Sequence, residues 1–124
     1  MKKRELLRLA EPLYDEDQLA ELSSAIDFAL EKHEGQKRQS GEPYVTHPLA
    51  VAATLVDWGM DVDSVIAGVL HDTIEDAGVS IDEIESLFGR DVSFLVDGVS
   101  KVGKARAGMR NLNSYLPTTK DNLT

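Results

Sequence analysis

The residues of this chain that could do chemistry are concentrated in one short run, HDTIED at residues 71–76. On a helix, His71 lies one turn before Glu75, and Asp72 lies one turn before Asp76. A neutral imidazole and a carboxylate are suitable ligands for Mn²⁺, Zn²⁺ or Fe, and the two later acids could hold or activate a water molecule. The alternative is a solvated helix end. Three acids at the negative end of a helix oppose its dipole, however, and this favours a bound metal.

The other two histidines differ in their surroundings. His47 stands directly before Pro48, where a helix is expected to begin. The positive end of a helix disfavours a protonated imidazole, so His47 should be neutral and able to coordinate a metal. Taken alone, a packed or capping histidine is the commoner explanation. His33 lies among polar residues and is expected on the surface, with no assigned role.

A polar loop is expected from Gly35 to Thr46, because this segment contains Gly41 and Pro43. The loop also carries Lys37 and Arg38 in a chain that is acidic elsewhere. A guanidinium group can stack on a base or grip a phosphate. Without further context, a solvated polar loop is the simpler explanation.

The elements that would position these residues are all helices. Apolar residues recur at helical spacing, and the sequence has no alternating β-branched run and no Asn-Gly hairpin signal. The expected helices run from Asp15 to Glu34, from Pro48 to Gly59, from Asp61 or Asp63 to Gly78, from a capping box at Ser80 and Glu83 to Gly89, and from Asp91 to Lys101. The third helix is apolar nearly all round until its last turns, so it should lie centrally. The fold class expected is an all-α helical bundle.

Composition narrows the class of protein further. The 124 residues suit one domain, and 13 Lys and Arg against 22 Asp and Glu give a net charge of −9. So acidic a domain has no general attraction for nucleic acid or anionic lipid, whereas its carboxylates suit divalent cations. The lack of cysteine excludes disulfides, thiolate metal sites and thiol catalysis. No apolar run approaches the ~18 residues of a membrane helix, and the basic start does not read as a signal peptide, so a cytoplasmic protein is expected.

Taken together, the motifs resemble a known pattern, in which one histidine precedes a helix and an HD pair ends a later helix just before Glu-Asp. This is the pattern of the HD-domain metal phosphohydrolases. The stretch from Ala25 to Lys104, which includes GQKRQSGEPYVTHP, HDTIEDAG and FLVDGVSKVGK, closely resembles the N-terminal hydrolase domain of the RelA/SpoT family. The resemblance implies an all-helical HD fold. It also implies manganese-dependent removal of the 3′-pyrophosphate of (p)ppGpp, with this guanosine nucleotide as the substrate.

The resemblance also assigns roles to individual residues. It implies three metal ligands, which are His47, His71 and Asp72. It implies an acidic pair that positions or activates the attacking water, which is Glu75 and Asp76. It implies a nucleotide-facing loop in which Arg38 packs on the guanine, together with Lys37, Gln39 and Ser40. Both pairs, HD and ED, are intact, so the parent enzyme is expected to be competent as a hydrolase.

The end of the chain departs from the family pattern. The fourth metal ligand of the family is an aspartate in a later helix with an Ala-Asp-Arg-Leu-His-Asn-like motif, and nothing in residues 103–124 matches it. We therefore expect residues 1–124 to form a partial HD domain, truncated before its last helices, with residues 103–124 as a weakly structured lead-in. Such a chain should have little hydrolase activity alone, because ligand losses lower metal affinity.

The same motifs leave three kinds of protein open. The main interpretation is the hydrolase domain of a bifunctional alarmone synthetase/hydrolase, whose parent could also act as a GTP pyrophosphokinase. A stand-alone small alarmone hydrolase is the second interpretation, and a non-catalytic interaction module of HD fold is the third. An exposed apolar patch could also make the chain a homodimer.

Overall fold

The structure is a computed structural model that describes residues 2–34 and 46–99, and for residues 46 and 47 it describes the backbone alone. Its helices are α1 (Lys3–Ala10), α2 (Glu16–Lys32), α3 (Thr46–Asp57), α4 (Val62–Asp76), α5 (Ile81–Phe88) and α6 (residues 90–99). No strand occurs in these two described ranges, so the all-α prediction is confirmed. Within the same ranges, none of the helices has the length and apolar character needed to cross a membrane.

Helix α4 lies at the centre of the bundle and packs against both α2 and α3. Residues from Val65 to Leu70 are buried on every side of this helix. The reason is its sequence, since the run VIAGVL has no polar face to present to water. Helix α1 covers the other side of α2 and α3. The central position predicted for α4 is therefore confirmed.

Local hydrogen bonds fix where α4 ends. Thr73 is fully buried, and its hydroxyl donates to the Leu70 carbonyl over 2.6 Å. The Thr73 carbonyl accepts from the backbone N–H groups of both Ala77 and Val79, each at 3.1 Å. Gly78 lies between them with φ +70°, a left-handed conformation that glycine adopts without steric cost. The chain therefore turns away directly after the polar end of α4 and leads into α5.

The helix caps differ in part from those expected. Asp15 and Gln18 form a complete capping box at the start of α2, with the Gln18 N–H donating to Asp15 over 2.8 Å and the Asp15 N–H donating to the Gln18 amide oxygen over 2.9 Å. At α5, the Ser80 hydroxyl accepts from the Glu83 N–H at 3.1 Å. The Glu83 carboxylate instead lies 3.8 Å from Lys32 Nζ, in a partly exposed pair between α5 and α2. One half of the predicted Ser80 box is therefore present.

Two expectations about the elements were wrong, and one helix was not predicted. Helix α1 is absent from the expected set, and it buries Leu6 and Ala10, which are one turn apart on one face. His33 was expected on the surface but is only 2% exposed, because it continues the buried face of α2 one turn beyond Ala29. Helix α3 begins two residues before Pro48, so His47 lies in its first turn. Proline is tolerated there because the N–H groups of a first turn have no partner within the helix.

The opposite end of α4 carries a cluster of acids, made of Glu21 on α2, Asp61 and Asp63 at the start of α4, and Asp91 on α6. Burial, followed by repulsion from Asp61 and Asp91, raises the pKa of Asp63. Burial and the Asp63 charge raise the pKa of Glu21 in the same way. Ionised carboxylates at this end of the bundle therefore oppose folding.

We predict that Asp63→Asn stabilises the chain at neutral pH. A carboxyl group whose folded pKa is raised opposes folding above that pKa, and the opposition is lost once the pH falls below its unfolded value of about 3.9. The gain should be about a few tenths of a kcal/mol, because solvent screens half-buried charges. Urea unfolding at pH 7 and near pH 3.5 measures it.

Asp17→Asn is the matched control, because Asp17 occupies the same position in the first turn of α2 that Asp63 occupies in α4. Both substitutions remove the same favourable interaction with a helix dipole. Asp63→Asn should be the more stable variant at pH 7, and the two should converge at acid pH. Equal stability at both pH values would show that the acidic cluster does not act on folding.

Candidate metal centre

The candidate site begins where the buried part of α4 ends. Leu70 is fully buried, and the next two side chains, His71 and Asp72, are 21% and 19% exposed. One further turn along, Glu75 and Asp76 are exposed. The polar end of the helix therefore emerges from the core edge in two steps, a half-buried His-Asp pair followed by a solvated acidic pair.

His71 is held from both ring nitrogens. Its Nδ1 lies 2.5 Å from the Gly68 carbonyl oxygen, one turn back on the same helix. A carbonyl oxygen can only accept, so Nδ1 carries a proton. Its Nε2 lies 3.1 Å from Asp72 Oδ1. In the neutral imidazole with this tautomer, the Nε2 lone pair is directed toward the carboxylate, which is the arrangement of a metal-binding histidine fixed by a backbone carbonyl.

Gly68, whose carbonyl contacts His71, also faces α3. A Cβ atom at Gly68 would lie 2.8 Å from Leu55 Cδ1 on α3. A larger residue at this position would therefore require the end of the Leu55 side chain to move. The role of Gly68 was not predicted from the sequence, although its position three residues before His71 on a helix could have suggested the contact.

The electrostatics of the pair favour a cation on the ring. The hydrogen bond to Asp72 is the main cause that raises the pKa of His71, and the Gly68 carbonyl and the charges of Asp72 and Asp76 add to it. Burial opposes them. A proton on Nε2 satisfies this environment, and a divalent ion between Nε2 and the carboxylate would satisfy it too. The residues therefore fit a metal chemically, and proton and metal would compete for the same atoms.

The remaining predicted site residues are placed only in part. The backbone of His47 lies in the first turn of α3, and its side chain is outside the described residues. Lys37, Arg38 and Ser40 are also outside them. Among the side chains that the structure does describe, no group of three or more His, Asp or Glu is arranged to hold a metal. The structure thus brings His71 and Asp72 together and leaves the third ligand and the nucleotide loop as predictions.

Comparison with known protein families identifies the class of protein to which this fold and the His71–Asp72 pair belong. Residues 25–120 match the family model described as HD domain. The match covers more than half of the chain, and the chain belongs to the HD-domain family. Its all-α architecture agrees with that assignment.

Curated relatives place the chain within that family more narrowly. It is 46% identical over 95 residues to the guanosine-3′,5′-bis(diphosphate) 3′-pyrophosphohydrolase of Aquifex aeolicus, which is 77% of this chain and 14% of the relative. It is 45% identical over 101 residues to the bifunctional (p)ppGpp synthase/hydrolase SpoT of Escherichia coli K12, which is 82% and 14% respectively. A GTP pyrophosphokinase of Streptomyces coelicolor is 42% identical over 103 residues, 83% of this chain and 12% of that protein.

These matches confirm the resemblance to the RelA/SpoT family read from the motifs. The chain spans about 14% of the length of the first two of these relatives. The identity therefore concerns one region of much longer proteins. It supports the assignment of this region and does not by itself assign the activities of the whole enzymes.

The geometry predicts a ranked response of the His71 pKa in the metal-free chain. Asp72→Asn should lower this pKa most, because the substitution weakens the hydrogen bond to Nε2 and removes the carboxylate charge beside it. Asp76→Asn should lower it less, because Asp76 acts through its charge alone. NMR titration of the imidazole C–H resonances, assigned with His71→Ala, measures both shifts. Equal shifts in the two variants would contradict the 3.1 Å contact between Nε2 and Oδ1.

Proposed function

We propose that this chain is the metal-dependent hydrolase domain of an alarmone enzyme and removes the 3′-pyrophosphate of ppGpp or pppGpp. The observation that carries the proposal is the His71–Asp72 pair at the polar end of the central helix, with Nε2 and Oδ1 3.1 Å apart. Its support from similarity is that the Aquifex aeolicus and Escherichia coli relatives are named for this reaction or for its combination with synthesis. The parent protein would then be a bifunctional synthetase/hydrolase.

The metal would be held by His71, Asp72 and His47, with Mn²⁺ as the ion proposed. The His71 tautomer fits this role, because Nδ1 is occupied by the Gly68 carbonyl and Nε2 is the nitrogen beside the carboxylate. When bound, the ion supplies a position where water ionises near neutral pH and where phosphate charge is offset. His47 would supply the third ligand from the first turn of α3, the helix that packs on α4.

Glu75 and Asp76 would position the attacking water and accept its proton. Both are exposed one turn beyond the His-Asp pair, so water can reach them while the pair stays half-buried. The water oxygen attacks the phosphorus bonded to the 3′-oxygen of the nucleotide. The bond between that phosphorus and the 3′-oxygen breaks, the 3′-oxygen takes a proton, and pyrophosphate leaves GDP or GTP behind.

Lys37, Arg38 and Ser40 would bind the nucleotide. A chain with a net charge of −9 repels a polyphosphate in general, so binding needs local cations. The Arg38 guanidinium can stack on the guanine, while Lys37 and the Ser40 hydroxyl can contact phosphate oxygens. These roles follow the resemblance of the loop to the RelA/SpoT family.

Pyrophosphate release from ppGpp tests the proposal. In the native chain we expect slow release that requires Mn²⁺ and stops on chelation. His71→Ala should lower both the rate and the Mn²⁺-dependent binding of ppGpp by at least about tenfold, since loss of metal-site groups has effects of that size. The control is Asp82→Asn, which removes an exposed carboxylate from α5 and leaves the pair intact. Equal rates and binding in the native chain and His71→Ala would refute the proposed site.

A further inference from the structure

An open groove runs along the outer face of the α1–α2 hairpin. The Lys3 ammonium pairs with Asp27 over 2.7 Å, while residues 11–15 join the other ends of the two helices, so α1 and α2 are antiparallel. Leu7 and Leu19 form the half-buried floor of the groove, and Ala20 extends it on the α2 side. We call this surface the α1–α2 groove.

The charged residues of the α1–α2 groove are ordered along its length. Lys3 and Arg4 lie at the open end of the hairpin, and Glu11 and Glu16 lie at the turn. Arg8 lies between them, beside the apolar floor. Arg4, Arg8, Glu11 and Glu16 are all exposed, and none of the salt bridges found among the described residues includes them.

This order is self-complementary under a two-fold axis. If a second copy of the groove is turned end for end, its Glu11 and Glu16 face the end of the first copy that carries Arg4 and the Lys3–Asp27 pair, and the reverse holds at the other end. The apolar floors then meet in the middle. An isologous contact requires this property, in which residue i faces residue j and residue j faces residue i.

We propose that two copies of this chain associate through their α1–α2 grooves, with the two α1 helices antiparallel. Net charge argues for this face, because the chain carries −9 overall, whereas in the groove Arg4 and Arg8 balance Glu11 and Glu16, and Lys3 is paired with Asp27. Two copies meeting here avoid the repulsion that most of their surface would impose. The proposal does not depend on the hydrolase assignment.

The contact should be weak and sensitive to salt. Helix α1 has eight residues and is about 12 Å long, so the paired hairpins bury less than a standard interface of about 1,600 Å². Exposed ion pairs at both ends are screened as ionic strength rises. Sedimentation velocity over about a hundredfold range of concentration, at low salt, is therefore the suitable measurement.

Two charge reversals test the geometry directly. Arg4→Glu leaves only acids at position 4 and Glu11, and Glu11→Arg leaves only bases at Arg4 and position 11. Each variant alone should dimerise at least about tenfold more weakly than the native chain. An equimolar mixture of the two should recover the dimer, because position 4 of each chain then faces the opposite charge at position 11 of the other.

Folding does not confound this experiment. Arg4→Glu adds an acid near the start of α1 and Glu11→Arg adds a base at its end, and both changes suit the helix dipole. Glu5→Arg is the matched control, since Glu5 is exposed on α1 and does not line the groove, and it should leave dimerisation near the native level. A native chain that stays monomeric overturns the proposal. A dimer whose affinity is unchanged by the two charge reversals also overturns it, and so does an equimolar mixture that forms no dimer. In these cases the groove is not the contact between copies, or a different partner covers it.

Discussion

Burial of α4 is the interaction on which the rest of the structure depends. Val65, Ile66, Val69 and Leu70 are fully buried between α2 and α3, and they form the centre of the described core. A helix with apolar residues all round has no orientation that leaves one side in water. Its polar side chains therefore lie before and after this run, with Asp63 and Ser64 at one end and His71 and Asp72 at the other. His71 is placed at the edge of the core by the hydrophobic run that precedes it.

The chemistry of the candidate site follows from this placement. His71 and Asp72 are half-buried to nearly the same extent, and the Gly68 carbonyl holds Nδ1 of His71 while Asp72 Oδ1 lies beside Nε2. A carboxylate beside an imidazole in half-dry surroundings attracts a cation, which can be a proton or a metal ion. The same helix thus forms the centre of the core and carries the candidate cation site, whereas the acids at its other end repel one another with no histidine among them.

Much of this could be predicted from the sequence, for physical reasons that also explain the failures. The apolar run of α4 and the Gly78 turn are local signals, so the position of the His-Asp pair was predictable. The burial of His33 was missed because the prediction relied on its polar character and polar neighbours, and not on its helical spacing from Ala29. The contact from His71 to Gly68 was missed because it uses a backbone carbonyl, which side-chain patterns do not show.

The measurement that tests the central claim most directly is the location of Mn²⁺ on the chain by paramagnetic broadening of backbone amide resonances. Sub-stoichiometric Mn²⁺ broadens the signals of nearby nuclei, so the affected residues map the ion. We expect the strongest broadening at residues 68–76 and at the start of α3, with little effect around Asp61, Asp63 and Asp91. Broadening centred on that acidic cluster, or spread evenly over the acidic surface, would contradict the assignment of the metal to His71 and Asp72.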